Sequence, residues 1–203
     1  MVGRPPLIRS IFLSASIPLP HRDPKYLETA DVVAIRDSIR ALVSVVVPVG
    51  QIVFGGHPAI TPLVRLLVRG MALNVREHVI LYQSLFFKPQ FPREVSIFEE
   101  VRLIEAAAND RDASLAKMRE AMISAYTFDA GVFIGGMKGV EIEYDIFRSL
   151  HPDKPAYPIA STGAAARILF ERYNPDRREL MDDLRYLSLF RRLLNQPLTG
   201  IEK

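Results

Sequence analysis

Short apolar runs alternate with segments of helical period along nearly the whole chain. Ile8 to Ala15 is a β-rich run, followed by a proline-containing loop through Pro24. From Thr29 to Val47, the positions Val32, Ile35, Ile39, Leu42, Val43 and Val46 line one side of a 3.6-residue repeat, which predicts a helix with one buried face. Gln51 to Phe54 predicts a second strand, stopped by Gly55-Gly56. Pro58 and Pro62 suit the opening of the next helix, where a missing backbone N–H costs nothing. That helix carries Leu63, Leu66, Leu67 and Met71 and is expected to end near Asn74. His78 to Tyr82 predicts a third strand, and a loop with Phe86, Phe87 and Phe91 follows it. Helices are expected over Glu94–Ala107 and Ala113–Tyr126, then a strand over Ala130–Ile134 closed by Gly135-Gly136, then a helix over Val140–Leu150. Tyr157 to Ala160 predicts a last strand, turning at Ser161-Thr162-Gly163 into a helix over Ala164–Tyr173, and a final helix is expected over Asp176–Leu194.

Strands alternating with helices imply right-handed crossovers and a sheet covered on both faces. The expectation is a Rossmann-like α/β three-layer sandwich with a mainly parallel sheet of about five or more strands. The 203 residues suit one such domain over 1–203. Ligands in sheets of this kind bind outside the carboxyl ends of the strands, so the strand-to-helix junctions are the places to look for chemistry.

Composition narrows the chemistry. At 49% hydrophobic and 24% charged residues, the chain reads as globular rather than disordered. The net charge of +3 is spread as Arg among Asp and Glu, without the Lys/Arg run of a nucleic-acid footprint. That distribution argues against nucleic acid as the partner and suits a phosphate-bearing small molecule. The absence of Cys excludes disulfides, zinc-thiolate sites and thiol nucleophiles. The four His are scattered, so no metal site is spelled out and no cofactor is expected. The first twenty residues superficially resemble a signal peptide, but Pro18 and Pro20 interrupt the apolar run, which reads better as a core strand. No stretch approaches the roughly 18 apolar residues that would cross a bilayer. The expectation is a cytoplasmic protein without membrane contact.

Three junctions share a composition: Gly55-Gly56-His57-Pro58, Gly135-Gly136-Met137-Lys138-Gly139 and Ser161-Thr162-Gly163-Ala164. Glycines let the backbone turn sharply and approach a ligand, and the helix behind each turn offers free N–H groups to an anion. A single Gly-Gly turn has a purely steric explanation. Three such turns in one small sheet point toward a phosphate or ribose site.

The second junction and its surroundings resemble a known family. Met118-Arg119-Glu120-Ala121-Met122 lies on an expected helix and is followed by Asp129-Ala130-Gly131-Val132-Phe133-Ile134-Gly135-Gly136-Met137-Lys138-Gly139-Val140-Glu141-Ile142-Glu143. This is similar to the helix arginine, apolar strand and PGGxGTxxE motif of the lysine-decarboxylase-like or LOG proteins, within the SLOG superfamily. Gly55-Gly56-His57 stands where that family has its first glycine-rich loop, and Ser161-Thr162-Gly163 looks like the Thr-Gly turn of SLOG sensor domains. Members with the full motif are phosphoribohydrolases that cut the N-glycosidic bond of nucleoside 5′-monophosphates. By position, the resemblance assigns their catalytic pair to Arg119 and Glu143. Four features depart from the motif: Ile134 replaces its proline, Lys138 is an extra loop residue, Val140 stands in place of Thr, and Gly-His-Pro replaces the third glycine of the first loop. The altered loop bears on catalysis more than on binding.

The first reading is therefore a SLOG-type sensor binding a nucleotide-derived signal, such as an NAD-derived or cyclic nucleotide, in an antiphage setting with TIR or other effector partners. The alternative is a nucleoside 5′-monophosphate phosphoribohydrolase. The resemblance also implies a homo-oligomer.

Each candidate residue has a plainer explanation beside the functional one. Arg119 can clamp a phosphate or ribose edge, or be a solvated helix arginine beside Glu120. Glu143 can bind ribose hydroxyls or stabilise an oxocarbenium-like centre, or be an exposed helix residue, with Glu141 also available. Lys138 can neutralise a phosphate or sit in solvent, and His57 can touch a ligand or cap the following helix. Ser14 and Ser16 end the first strand, where they can reach a phosphate or cap a turn. Tyr82 or Gln83 can meet a base at the end of the third strand. The stripe Leu184, Leu187, Phe190, Leu193 and Leu194 on the last helix reads as core, or as a dimer contact.

Overall fold

The computed structural model describes residues 9–21, 23–71, 78–91, 100–108 and 110–195. Six strands run through them: β1 (Arg9–Ser16), β2 (Gly50–Gly55), β3 (Val79–Ser84), β4 (Val101–Ile104), β5 (Ala130–Gly135) and β6 (Ala156–Ile159). The helices are α1 (Pro24–Leu27), α2 (Val32–Val46), α3 (Thr61–Gly70), α4 (Arg111–Ser124), α5 (Lys138–Leu150), α6 (Ala164–Tyr173), α7 (Glu179–Asp182) and α8 (Tyr186–Asn195).

The sheet has the order β4-β3-β2-β1-β5-β6, and every neighbouring pair is parallel. The Rossmann-like α/β expectation is thus met. From β1 the chain steps outward through β2, β3 and β4, then returns to the other side of β1 with β5. The direction of winding reverses between β1 and β5, and the two crossovers leave opposite faces there. That opens a crevice at their carboxyl ends.

Alternation along the strands divides the core. Ile11, Leu13, Ile52, Phe54, Val79 and Leu81 face α2 and α3. Phe12, Val53, Ile80, Tyr82 and Phe133 face α4 and α5. The second face is rich in aromatic rings: Phe12 stacks on Phe147 with centroids 5.7 Å apart and meets Phe133 edge-on at 5.9 Å. Such pairs add modestly to what their burial contributes. Asp31 caps α2 through a bond from the Ala34 N–H, and Asp110 caps α4 through the N–H groups of Asp112 and Ala113.

Two helix expectations need correction. The helix expected over Glu94–Ala107 falls partly outside the described residues, at 92–99, and Val101–Ile104 within it is the edge strand β4. Glu, Arg and Leu favour helix weakly, and the open edge of β3 supplies a ladder of backbone partners that outweighs that preference. The last helix is not continuous from Asp176. It breaks at Asp183, whose carboxylate accepts from the Arg185 backbone N–H and takes a 2.6 Å bond from Arg192. Those arginines hold the Asp183 carboxyl down at about 2, Arg192 contributing most. Beyond the break α8 lies on α2, burying Leu189, Phe190, Leu193 and Leu194 and leaving Leu184 and Leu187 exposed. Most of that apolar stripe is therefore internal core. Among the described residues no helix is long and apolar enough to cross a membrane.

Candidate functional site

At the crevice, Ser14 lies opposite Phe133 and Ser16 opposite Gly135 in the β1–β5 ladder. The chain turns away from β5 through Gly135 and Gly136, with φ of +55° and +89°. A Cβ on Gly135 would stand 2.5 Å from Ile35 Cδ1, and one on Gly136 would stand 2.2 Å from Val140 Cγ2. Both glycines are therefore required by the turn and by the packing beneath it. The Gly136 N–H donates to the Ser16 carbonyl at 2.8 Å, and that of Gly135 donates to Thr162 Oγ1 at 2.8 Å.

The turn delivers the N-terminus of α5 to the rim of the crevice. Met137 is its N-cap and makes no side-chain capping bond. The Val140 N–H bonds back to the Met137 carbonyl, while the N–H groups of Met137, Lys138 and Gly139 have no acceptor among the described residues. They carry the positive end of the helix dipole.

The other two junctions look alike in sequence but use their donors internally. In the first, Gly56 N–H bonds the Tyr82 carbonyl, His57 N–H bonds Thr61 Oγ1, and Ala59 N–H bonds His57 Nδ1. His57 thus caps its own turn. In the third, Ala164 N–H bonds Thr29 Oγ1 at 2.8 Å and Ala165 N–H bonds the Gly136 carbonyl. Thr162 Oγ1 donates to the Ile159 carbonyl while accepting from Gly135, and Ser161 accepts from the Tyr186 hydroxyl. The Ser161-Thr162-Gly163 turn braces the Gly135-Gly136 turn from behind.

One turn into α5, Glu143 reaches toward β1 and α4. Its Oε2 accepts a 2.6 Å bond from the Ser14 hydroxyl, and its Oε1 a 3.1 Å bond from Arg119 Nε. The Arg119 and Glu143 side chains are only 13% and 15% exposed, so the pair is poorly screened by water. The guanidinium lies against Gly139, where a Cβ would come within 2.9 Å of Nη2. Its two terminal nitrogens have no acceptor among the described residues. The structure therefore brings together Ser14, Ser16, Gly135, Gly136, Met137, Lys138, Gly139, Arg119 and Glu143. It places an acceptor-only carboxylate beside unpaired donors aimed at one rim. Such a set suits a ligand with an anionic group next to hydroxyls.

A second carboxylate was not singled out in the sequence. Glu141 points away from Glu143 and accepts a 2.5 Å bond from the Tyr26 hydroxyl, with Lys25 Nζ at 3.7 Å and Arg172 at 3.8 Å. Burial, and then the bond to Glu141, raise the Tyr26 phenol above its ordinary range. This cluster ties α1 to α5 and α6. The two-residue offset between Glu141 and Glu143, nearly half a helical turn, is the signal that they serve different neighbours.

Tyr82 and Gln83 separate across β3. Tyr82 is buried among Val53, Met118 and Met122, and its phenol is pushed up to about 12, first by burial and then by the Tyr126 hydroxyl. Gln83 turns to the other face and lies over Gly56. Lys138 is exposed at the first turn of α5. Gly55 packs toward Met118 and Met122 of α4. Among the described residues no group of three or more His, Asp or Glu is gathered as a metal site would require. A separate groove of about 480 Å³, lined by Tyr144, Arg148, Tyr173 and Arg177 among others, lies near the start of β6, at the opposite end of the sheet from the crevice.

No curated protein and no solved structure matches the chain. A family model does, over residues 25–194, a span holding β2 to β6, Glu141 and Glu143 of α5, Arg119 and all three glycine-containing turns. On that match the chain belongs to the SLOG cluster3 family.

Proposed function

We propose that the chain binds a nucleotide-derived ligand at the β1/β5 crevice, as a sensor of an NAD-derived or cyclic nucleotide. Membership of a SLOG family supports a nucleotide-related role in general. The observation that carries the finer reading is the α5 N-terminus, where the N–H groups of Met137, Lys138 and Gly139 stand unpaired beside the unpaired terminal nitrogens of Arg119. Those donors take an anionic group, because charge-assisted bonds from N–H donors and a guanidinium to a phosphate need no further partner. Glu143 keeps lone pairs on both oxygens after bonding Ser14 and Arg119, and these accept from ribose hydroxyls. The reading extends to a cytoplasmic homo-oligomer that passes the signal to an effector such as a TIR domain in antiphage defence.

A second reading is hydrolysis of the N-glycosidic bond of nucleoside 5′-monophosphates. It is favoured by one observation, the rigid orientation of Glu143 by Ser14 and Arg119 together. A carboxylate so held can face a positively charged sugar centre in the transition state. Calorimetric titration of AMP and of ribose 5-phosphate tests binding, and chromatography of the same mixtures tests cleavage. Saturable binding without release of free base is the expected result. Base release lost in Glu143→Gln selects the hydrolase, and no heat with either compound removes the hydrolase reading.

A further inference from the structure

We infer that Gln83 is the residue that reads the base of the bound nucleotide, an inference that rests on the ligand site proposed above. Gln83 is the penultimate residue of β3, at the rim where the strands end. The residue is only 6% exposed, and its amide makes no hydrogen bond with any described residue while still touching solvent. An amide with solvent contact and no internal partner, at the carboxyl end of the strands, can exchange water for a bound molecule's donor and acceptor.

The surroundings hold the amide in place. Gly56 follows β2 and stands beside Gln83 in the extended β2–β3 register. A Cβ at Gly56 would fall 2.0 Å from Gln83 Nε2 and 2.4 Å from its Cδ. The amide therefore occupies the space that a side chain at 56 would fill. Gly56 itself is tied down by its N–H bond to the Tyr82 carbonyl. The result is a planar donor–acceptor pair packed against the end of β2.

Position constrains the proposed ligand. The phosphate site follows β5, three places from β3 in the sheet or about 14 Å at the usual strand spacing, and Gln83 turns to the α2/α3 face while Ser14 shares the other face with Phe12. An extended nucleotide therefore has to pass over the strand ends to bring its base to Gln83. With the phosphate on the α5 N-terminus and the ribose at Glu143, the base crosses the ends of β1 and β2 toward Gln83. A primary amide offers one donor and one acceptor in a plane, which matches any nucleobase edge carrying an N–H beside a ring nitrogen or carbonyl.

The test compares AMP, GMP, CMP and UMP with ribose 5-phosphate, which lacks a base, by calorimetry on the full chain. The wild-type protein is expected to hold at least one nucleotide about tenfold or more tightly than ribose 5-phosphate. In Gln83→Leu that margin should disappear while ribose 5-phosphate binds as before, and in Gly56→Ala it should shrink because the amide is displaced. Gln83→Leu should melt no lower than wild type, since it removes an amide with no internal partner. Equal loss for nucleotides and ribose 5-phosphate, an unchanged margin, or a large fall in melting temperature each overturns the inference. If ribose 5-phosphate binds but no base adds affinity, this inference fails and the phosphate site stands. If nothing binds, the site reading fails first and this one with it.

Discussion

A guanidinium presents five N–H donors in one plane, and Arg119 commits Nε to Glu143 while its terminal nitrogens stay open. Bonds to a charged group contribute about 1.5–3 kcal/mol. Arg119→Ala should therefore weaken AMP binding by about ten- to a hundredfold, read by calorimetry. Melting temperature should fall as well, because the variant leaves the largely buried Glu143 carboxylate with the Ser14 hydroxyl but without its counter-charge. Arg119→Lys should recover only part of the affinity, since an ammonium keeps the charge and loses the fork. Wild-type affinity in Arg119→Ala would mean that the arginine serves only to orient Glu143. The family resemblance named Arg119 and Glu143 without pairing them, and the Ser14 hydroxyl that also bonds Glu143 comes from a strand 129 positions away in sequence.

At the level of elements, the three glycine-containing junctions divide by where their backbone donors go. Gly163 shows the cost of that arrangement most directly. Its φ is +70° with ψ of −159°, and a Cβ there would fall 1.7 Å from the Thr29 carbonyl oxygen. Ala164 beside it also takes a positive φ, +56°, held by the bond from its N–H to Thr29. Gly163→Ala should cost about 1–3 kcal/mol from backbone strain alone, and more from the clash. Since Thr162 and Ala165 brace the Gly135-Gly136 turn, ligand affinity should fall along with stability. Chemical denaturation and AMP titration of the same variant check the two together. A stable variant with lowered affinity would show that the brace acts on the site alone.

Across the whole molecule, α8 returns to cover α2 and closes one face of the sheet. Phe190 is fully buried there, within the same core as Ile35, Leu42 and Ile134. Phe190→Ala should lower the unfolding free energy by about 3–5 kcal/mol, measured by urea denaturation. Were α8 a loosely attached surface helix kept for partner contact, the loss would be well under 1 kcal/mol. The Tyr157 hydroxyl, bonded to the Leu193 carbonyl, fastens the same helix to β6.

Hydrophobic period alone determined most of the architecture: five of the six strands, the alternating helices and hence the parallel sheet, because burial on two faces forces apolar runs in the strands and single stripes on the helices. It missed β4, whose half-exposed residues Val101 to Ile104 carry no strand period and pair only because β3 leaves an open edge. The resemblance to the SLOG motif likewise singled out Arg119 and Glu143. Only the tertiary structure decided which glycine turn keeps its N–H groups open, since that depends on Thr29 and Ser16 arriving from elsewhere in the chain. It also decided that Tyr82 packs with Met118 and Met122 while Gln83 lies over Gly56, because alternation says that neighbours part and only packing says to which side.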